Sequence, residues 1–356
     1  MNKGYLRPLD GLRLIAVSFV MLDHWTFHSS YSKMLGWLAN SAVNLFFVLS
    51  GFLIARILMT QKQKAPQGLL MSFYGRRFLR IFPLYYLAIA LCLVFKIPAA
   101  RENLYSLLFY VSNFKFAFTG INPGYVSHLW SLAVEEQFYI VFPILLLSIP
   151  VKYAKQLFFA LIVISLLSRV TCIIILKDYT ARVAMYLLTP CCFDCFGIGA
   201  LLAYYGMYEQ EKLTRLLSKK KLACSFFLLA VILQWVSIQS RSMVYFATLP
   251  RLFFSFFAFW LIGNAANNRF HGIFGYLLNN AAVVYLGKIS YGLYVYHFIL
   301  TYFFSGYTIP AHYLFYFLAT VGIASVSWFI FEKPVNSLKR FLPYERPDPG
   351  AAGTMG

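Results

Sequence analysis

Arg13 and His24 share one apolar segment, running Leu9-Asp10-Gly11-Leu12-Arg13, then Leu-Ile-Ala-Val-Ser-Phe-Val-Met-Leu-Asp, then His24. On an α-helix the eleven steps between them bring His24 back to within about 20° of Arg13, roughly 16 Å further along the axis. One helix face then carries a guanidinium near one end and an imidazole near the other. Ionisable side chains inside an apolar span are costly and mark a site by default. An imidazole exchanges protons near neutral pH. Asp10 lies three residues before Arg13 and can pair with it. Asp23 adjoins His24 in sequence but points about 100° away. The plain alternative is a snorkelling Asp10/Arg13 anchor with an unrelated core histidine.

Four further stretches carry polar chemistry. Phe73-Tyr74-Gly75-Arg76-Arg77-Phe78-Leu79-Arg80-Ile81-Phe82-Pro83 places Arg77 and Arg80 three apart at the mouth of a span. Guanidinium forks so spaced suit phosphates, although basic residues beside a membrane are common for topological reasons alone. His128-Leu129-Trp130-Ser131-Leu132-Ala133-Val134-Glu135-Glu136-Gln137-Phe138-Tyr139 leads two carboxylates into an apolar run, where they need protons or partners. Glu135 and Tyr139 share a helix face. Ile289-Ser290-Tyr291-Gly292-Leu293-Tyr294-Val295-Tyr296-His297 is tyrosine-rich with one histidine, either a buried core ring or a functional one. Phe331-Glu332-Lys333-Pro334 reads as a helix stop with an interfacial ion pair. Of the six cysteines, Cys191, Cys192 and Cys195 fall within an apolar span and read as small buried residues rather than a metal or redox site.

The elements that must position these groups are helices in a bilayer. The chain is 60% hydrophobic and only 12% charged, about half the charge of a soluble domain. Apolar runs of about 20 residues recur, and strict alternation is absent, which excludes an outer-membrane barrel. The expected fold is an all-α polytopic bundle of about ten transmembrane helices, near 9–28, 37–58, 81–97, 131–149, 157–176, 184–208, 222–239, 246–264, 284–304 and 311–331. The first run is interrupted by Asp10 and Arg13 and does not read as a cleavable signal peptide. The net charge of +19 lies between the spans and is read as positive-inside bias and attraction to anionic lipid, not nucleic-acid binding. With ten spans and both termini cytoplasmic, every basic cluster falls inside. Segment 104–118 is expected to be interfacial or re-entrant, since an eleventh span would put Lys219-Lys220-Lys221 outside. Residues 61–80 are expected as a cytoplasmic connection and 98–130 as an outer one. The expected division is a membrane domain over 1–342 and a disordered tail over 343–356.

Taken in order, these residues resemble the acyltransferase-3 family of integral membrane acyltransferases. The carrying motifs are Arg7-Pro-Leu-Asp-Gly-Leu-Arg13 with His24, Asn44-Leu-Phe-Phe-Val-Leu-Ser-Gly-Phe-Leu-Ile54, and Arg77-x-x-Arg80 before Pro83. Trp130 to Tyr139, Ile289 to His297 and Phe331 to Pro334 follow, so the resemblance runs from about residue 5 to about 340. It implies transfer of an acyl group, usually acetyl, from cytoplasmic acyl-CoA to a carbohydrate hydroxyl in the bacterial cytoplasmic (inner) membrane. Acetyl-CoA is then a donor substrate, with no permanently bound cofactor and no metal. The acceptor class includes O-antigen, exopolysaccharide and peptidoglycan, and the acceptor could be undecaprenyl-linked.

The catalytic set so implied is His24 as general base, Glu135 or Glu136 orienting the imidazole, and Arg13 lining the donor channel or stabilising the thioester oxygen. The implied binding set is Asp10, Arg76, Arg77, Arg80, Tyr85, Trp130, Tyr139 and His297, with Arg77 and Arg80 on the CoA phosphates and the pantetheine arm rising from Arg13 to His24. Direct transfer is favoured over an acyl-histidine intermediate. Some relatives carry a fused esterase-like domain, which this chain is expected to do without. A proton-coupled transporter of a polar or glycolipid substrate, using the same charged residues, is the competing reading. A non-catalytic partner in glycan assembly is a third.

Overall fold

A computed structural model of the protein describes residues 5–26, 32–64, 67–120, 122–176, 178–239, 249–304 and 312–344. Among them every regular element is helical: α1 (Arg7–Trp25), α2 (Ser32–Lys64), α3 (Leu69–Val94), α4 (Leu104–Leu108), α5 (Ser112–Thr119), α6 (Trp130–Ser148), α7 (Ala154–Ile175), α8 (Asp178–Leu187) and α9 (Phe193–Tyr208). The second half adds α10 (Gln210–Ser218), α11 (Lys220–Gln239), α12 (Leu249–Ala266), α13 (Gly272–Asn279), α14 (Ala281–Lys288), α15 (Ser290–Phe304), α16 (His312–Ser327) and α17 (Lys333–Ser337). Eight helices among the described residues are long and apolar enough to cross a membrane, or nine if the bent pair α14–α15 is one span. Helix α1 fails that composition test because of its charges, yet it coincides with the first expected span. It packs against α2, α13, α14 and α15 and buries Leu9, Asp10, Leu12, Val17, Val20 and Met21. Surrounded by protein rather than lipid, it can hold ionisable groups.

Helices α1 and α2 form the centre. The apolar core of α2 is 72% buried, whereas that of α11 is 17% buried and faces outward. The tightest seam joins α2 to α9. A Cβ on Gly199 would strike the Val48 carbonyl, and one on Gly51 the backbone of Phe196, so only glycine permits this approach. Gly199→Ala should therefore force the helices apart and cost about 1–3 kcal/mol, as overpacking does. Thermal unfolding of the detergent-solubilised protein would register it, and an unchanged midpoint would show that the seam yields. At the Lys64 end of α2, the Lys62 ammonium donates to the carbonyls of Leu146, Leu147 and Ile149 at 3.2, 2.9 and 2.6 Å. A cation thus satisfies the open C-terminus of α6.

Several boundaries differ from expectation for identifiable reasons. Helix α3 begins at Leu69, so Arg76 to Arg80 ride on a helix and not in an open connection. Pro83 lies inside α3. The span expected over 184–208 is broken at Pro190 into α8, a 3₁₀ turn (Thr189–Cys192) and α9. That over 284–304 bends by 68° between α14 and α15. Here Gly287 lies so close to the Asp10 carbonyl that no Cβ fits, which fixes α14 against α1. Phe331-Glu332-Lys333-Pro334 is not a helix stop: a π-helical turn (Trp328–Glu332) leads into α17, with Pro334 in its first turn, where no N–H is missed. Nor does Glu332 pair with Lys333 as expected: it accepts from Ser327 Oγ at 3.2 Å, and the Lys333 ammonium sits over the Phe329 ring.

Segment 104–118 forms α4 and α5, each too short to span. It is tied down by Gln137, which donates to the Tyr110 carbonyl at 2.7 Å and to Asn113 Oδ1 at 2.9 Å. Of the tail expected to be disordered, Pro343 and Tyr344 pack on α3 through Ser72 and Arg76. Residues 345–356 lie outside the described residues, as do 27–28, 246–248 and 311 of the expected spans.

Candidate active site

A cavity of about 400 Å³ opens between α1, α2, α3, α6 and α15. Four arginines reach it, Arg13, Arg56, Arg77 and Arg80, and among the residues lining it Glu135 is the sole carboxylate. Arg13 is steadied by Asp10, whose carboxylate also accepts from the Tyr5 hydroxyl. Arg77 lies over the rings of Phe73 and Tyr139, 5.5 and 5.2 Å from their centroids. Arg80 also lines an adjoining space of about 340 Å³, with Asp10, Lys288 and Glu332. Bringing these cations together without an equal number of acids leaves the cavity electropositive and suited to an anion.

Glu135 sits on the opposite wall. Its Oε1 accepts from Ser50 Oγ at 2.6 Å, and Ser50 Oγ lies 2.9 Å from the Tyr139 hydroxyl. A serine has one proton. Given to Glu135, it leaves Ser50 to accept from Tyr139, so the chain runs Tyr139 to Ser50 to Glu135. The neighbour expected for Glu135, the His24 ring, is elsewhere.

The cavity ends at Ser131 and Tyr294, whose hydroxyls are 2.6 Å apart. Beyond Tyr294 lie three imidazoles. His24 Nδ1 is 2.7 Å from His297 Nε2. His297 Nδ1 is 2.6 Å from the Tyr294 carbonyl, and His128 Nε2 is 3.1 Å from the Val295 carbonyl. The His128 ring centroid is 6.1 Å from that of His24 and 5.0 Å from that of His297. Despite this gathering, no His, Cys, Asp or Glu set among the described residues is arranged to hold a metal. The continuous path expected from Arg13 to His24 is therefore interrupted: the open space covers its first part, and Tyr294 stands at the end.

The other sequence candidates fall into two groups. Arg13, Arg77, Arg80, Glu135 and Tyr139 line the cavity, with Asp10 directly behind Arg13. Arg76, Tyr85, Glu136 and Trp130 do not. Arg76 donates to the carbonyls of Lys339 and Leu342, both at 3.0 Å, and so pins the C-terminal segment. Tyr85 is buried, stacked on Tyr110 with its hydroxyl on the Leu107 carbonyl at 2.9 Å. Glu136 faces away from the cavity, buried, with Oε1 unpartnered among the described residues. Trp130 contacts Phe47 and Tyr186. Ser50, Arg56, Tyr291, Tyr294 and His128 were assigned no role from sequence, although all but Arg56 lie within the quoted motifs.

Fold and site together define an all-α membrane protein with a buried cationic cavity beneath a histidine cluster. The profile of the family described as "Acyltransferase domain" matches residues 7–332, and the chain belongs to this acyltransferase-3 family. It is similar to the peptidoglycan O-acetyltransferase OatA of Listeria monocytogenes, 36% identical over 185 residues, covering 48% of this chain and 29% of the relative. It is also similar to the O-acetyltransferase OatA of Staphylococcus aureus, 27% identical over 367 residues, covering 93% of this chain and 57% of the relative. The chain thus spans about half the length, or less, of the curated relatives it matches. No solved structure matches it.

Proposed function

We propose that the protein is a membrane O-acetyltransferase that moves an acetyl group from acetyl-CoA to a hydroxyl of a cell-envelope glycan, of the peptidoglycan kind its relatives are named for. The observation that carries this reading is the arginine-lined cavity leading toward His24. CoA bears several phosphate charges, and Arg13, Arg77 and Arg80 supply the matching forks. The arginine end then faces the cytoplasm, where acyl-CoA is found, in accord with the positive-inside bias. The setting is the bacterial cytoplasmic membrane.

His24 acts as the base. A carbonyl oxygen only accepts, so His297 Nδ1 must carry the proton shared with the Tyr294 carbonyl. A neutral His297 then presents a lone pair at Nε2, which accepts a hydrogen bond from His24 Nδ1–H. His24 Nε2 is left with its lone pair, the form a general base needs. It removes the proton of the sugar hydroxyl as that oxygen bonds to the thioester carbonyl carbon. The carbon–sulfur bond breaks, and the proton passes from His24 to the departing CoA sulfur. Tyr294 must shift for the thioester to reach His24.

Mass spectrometry of envelope glycans with and without the gene tests the reading. A base-labile acetyl increment that disappears with the gene is expected, and identical glycans would contradict it. The donor assignment has its own test. Replacing Arg77 and Arg80 together by Ala should raise the KM for acetyl-CoA by roughly a hundredfold or more, since charge-assisted hydrogen bonds contribute ~1.5–3 kcal/mol each. The KM for the acceptor should not move, and an unchanged donor KM would remove the arginines from the site.

A further inference from the structure

A second cavity of about 250 Å³ lies against a different face of α2, formed also by α7, α8, α11 and α12. Trp37, Ser41 and Asn44 line it from α2, Tyr186 from α8, and Gln234 and Ser237 from α11. Asn44 is only 5% exposed, and its Oδ1 accepts from no group among the described residues; the buried Tyr186 hydroxyl likewise lacks a partner. Buried polar atoms so placed need a donor or acceptor beyond the described residues. Three arginines, Arg169, Arg182 and Arg251, also line it, and no carboxylate among the described residues does. Arg251 donates to the carbonyls of Met185, Cys191 and Tyr186 at 3.0–3.2 Å, and Arg169 to Asp194 at 2.6 Å and to the Cys191 carbonyl. Beside these cations stand neutral amides and hydroxyls and the Trp37 side chain. That chemistry suits a hydroxylated ring with an acidic substituent: hydroxyls for the amides, a C–H face for the indole, and a carboxylate for the arginines.

The two cavities are neighbours. Phe47 lines the arginine cavity and Tyr186 the second one, and Trp130 lies between them, 6.1 and 5.0 Å from their ring centroids. We propose that the second cavity binds a sugar ring of the acceptor glycan, with the Trp130 indole as the partition between acceptor and donor. This assignment rests on the acetyl-transfer reading above for the identity of the sugar, but the site itself does not. It also gives a role to Asn44, the first residue of the motif ending at Ile54: Asn44 faces the acceptor, and Ser50, on another face of the same helix, faces the donor.

Ser41→Cys and Asn44→Cys, each in the full chain with Cys224→Ser to remove the exposed thiol, provide the test. The two proteins, in lipid nanodiscs, are labelled with a small thiosulfonate reagent. The probe is a soluble N-acetylglucosamine–N-acetylmuramic acid disaccharide. At about ten times its Kd it should slow labelling at either position about tenfold, as mass action requires. Acetyl-CoA should have no such effect. Labelling unaffected by the disaccharide, labelling blocked by acetyl-CoA instead, or no labelling at either position would overturn the site. Acetyl transfer to the same disaccharide is measured in parallel. Protection without transfer leaves the site standing and overturns the proposed function, whereas transfer without protection does the reverse.

Discussion

His24→Ala should abolish acetyl transfer, by ~10²–10⁴-fold in kcat, the range that a positioned general base supplies, while the protein still inserts and binds acetyl-CoA. The donor site should survive because His24 does not line the arginine cavity, and its contacts are to His297, His128, Phe298 and their surroundings. A finer experiment separates the base from its positioning partner. His297→Gln can keep the relay, because its amide nitrogen can donate to the Tyr294 carbonyl while its oxygen accepts from His24. His297→Leu can do neither, and it frees the His24 ring to turn or to adopt the other tautomer. The Gln variant should therefore retain much of the activity, and the Leu variant should lose most of it in kcat with an unchanged KM for acetyl-CoA. Equal losses in the two variants would show that His297 acts through bulk alone. Full activity of His24→Ala would remove the imidazole from the chemistry.

Breaking the ion pair between Arg169 and Asp194 should have the largest effect on stability. Their side chains are 1% and 0% exposed, and they join α7 to α9 at 2.6 Å. Ser165 and the Cys191 carbonyl complete the cluster. Arg169→Ala leaves a carboxylate buried with its cation gone, and losing one partner of a buried pair costs about 3–5 kcal/mol. Replacing both residues by Leu should cost markedly less than the sum of the single changes, because neither charge is then left alone. Denaturant unfolding in mixed micelles reads both. Additive losses would mean that the two groups do not depend on each other.

Much of the helix inventory was legible because apolar runs of membrane length stand out against the charged connections, and α2, α6, α7 and α12 fall where the pattern puts them. What local patterning could not show was decided by distant residues. The bend between α14 and α15 carries no proline; it comes with the close approach of Gly287 to the Asp10 carbonyl, far away in sequence. Arg76 and Arg77 are adjacent in sequence, and 100° of helix rotation sends one to the C-terminal segment and the other to the cavity. The family resemblance implied that Glu135 orients the His24 imidazole. Packing instead gave Glu135 to Ser50 and His24 to His297, a partner 273 residues away. The carboxylate thus belongs to the wall of the arginine cavity, and the imidazole's orientation is set by a backbone carbonyl through a second imidazole.

On the proposed mechanism this chain carries acetyl from acetyl-CoA to a glycan hydroxyl at a site built around His24. The most direct measurement is to supply acetyl-labelled acetyl-CoA to the purified protein in proteoliposomes with a peptidoglycan-type glycan, and to follow the label. Label is expected in the glycan as a base-labile ester, absent with His24→Ala. An unlabelled glycan, or movement of the glycan across the bilayer with no acetyl-CoA present, would contradict it and favour a transporter.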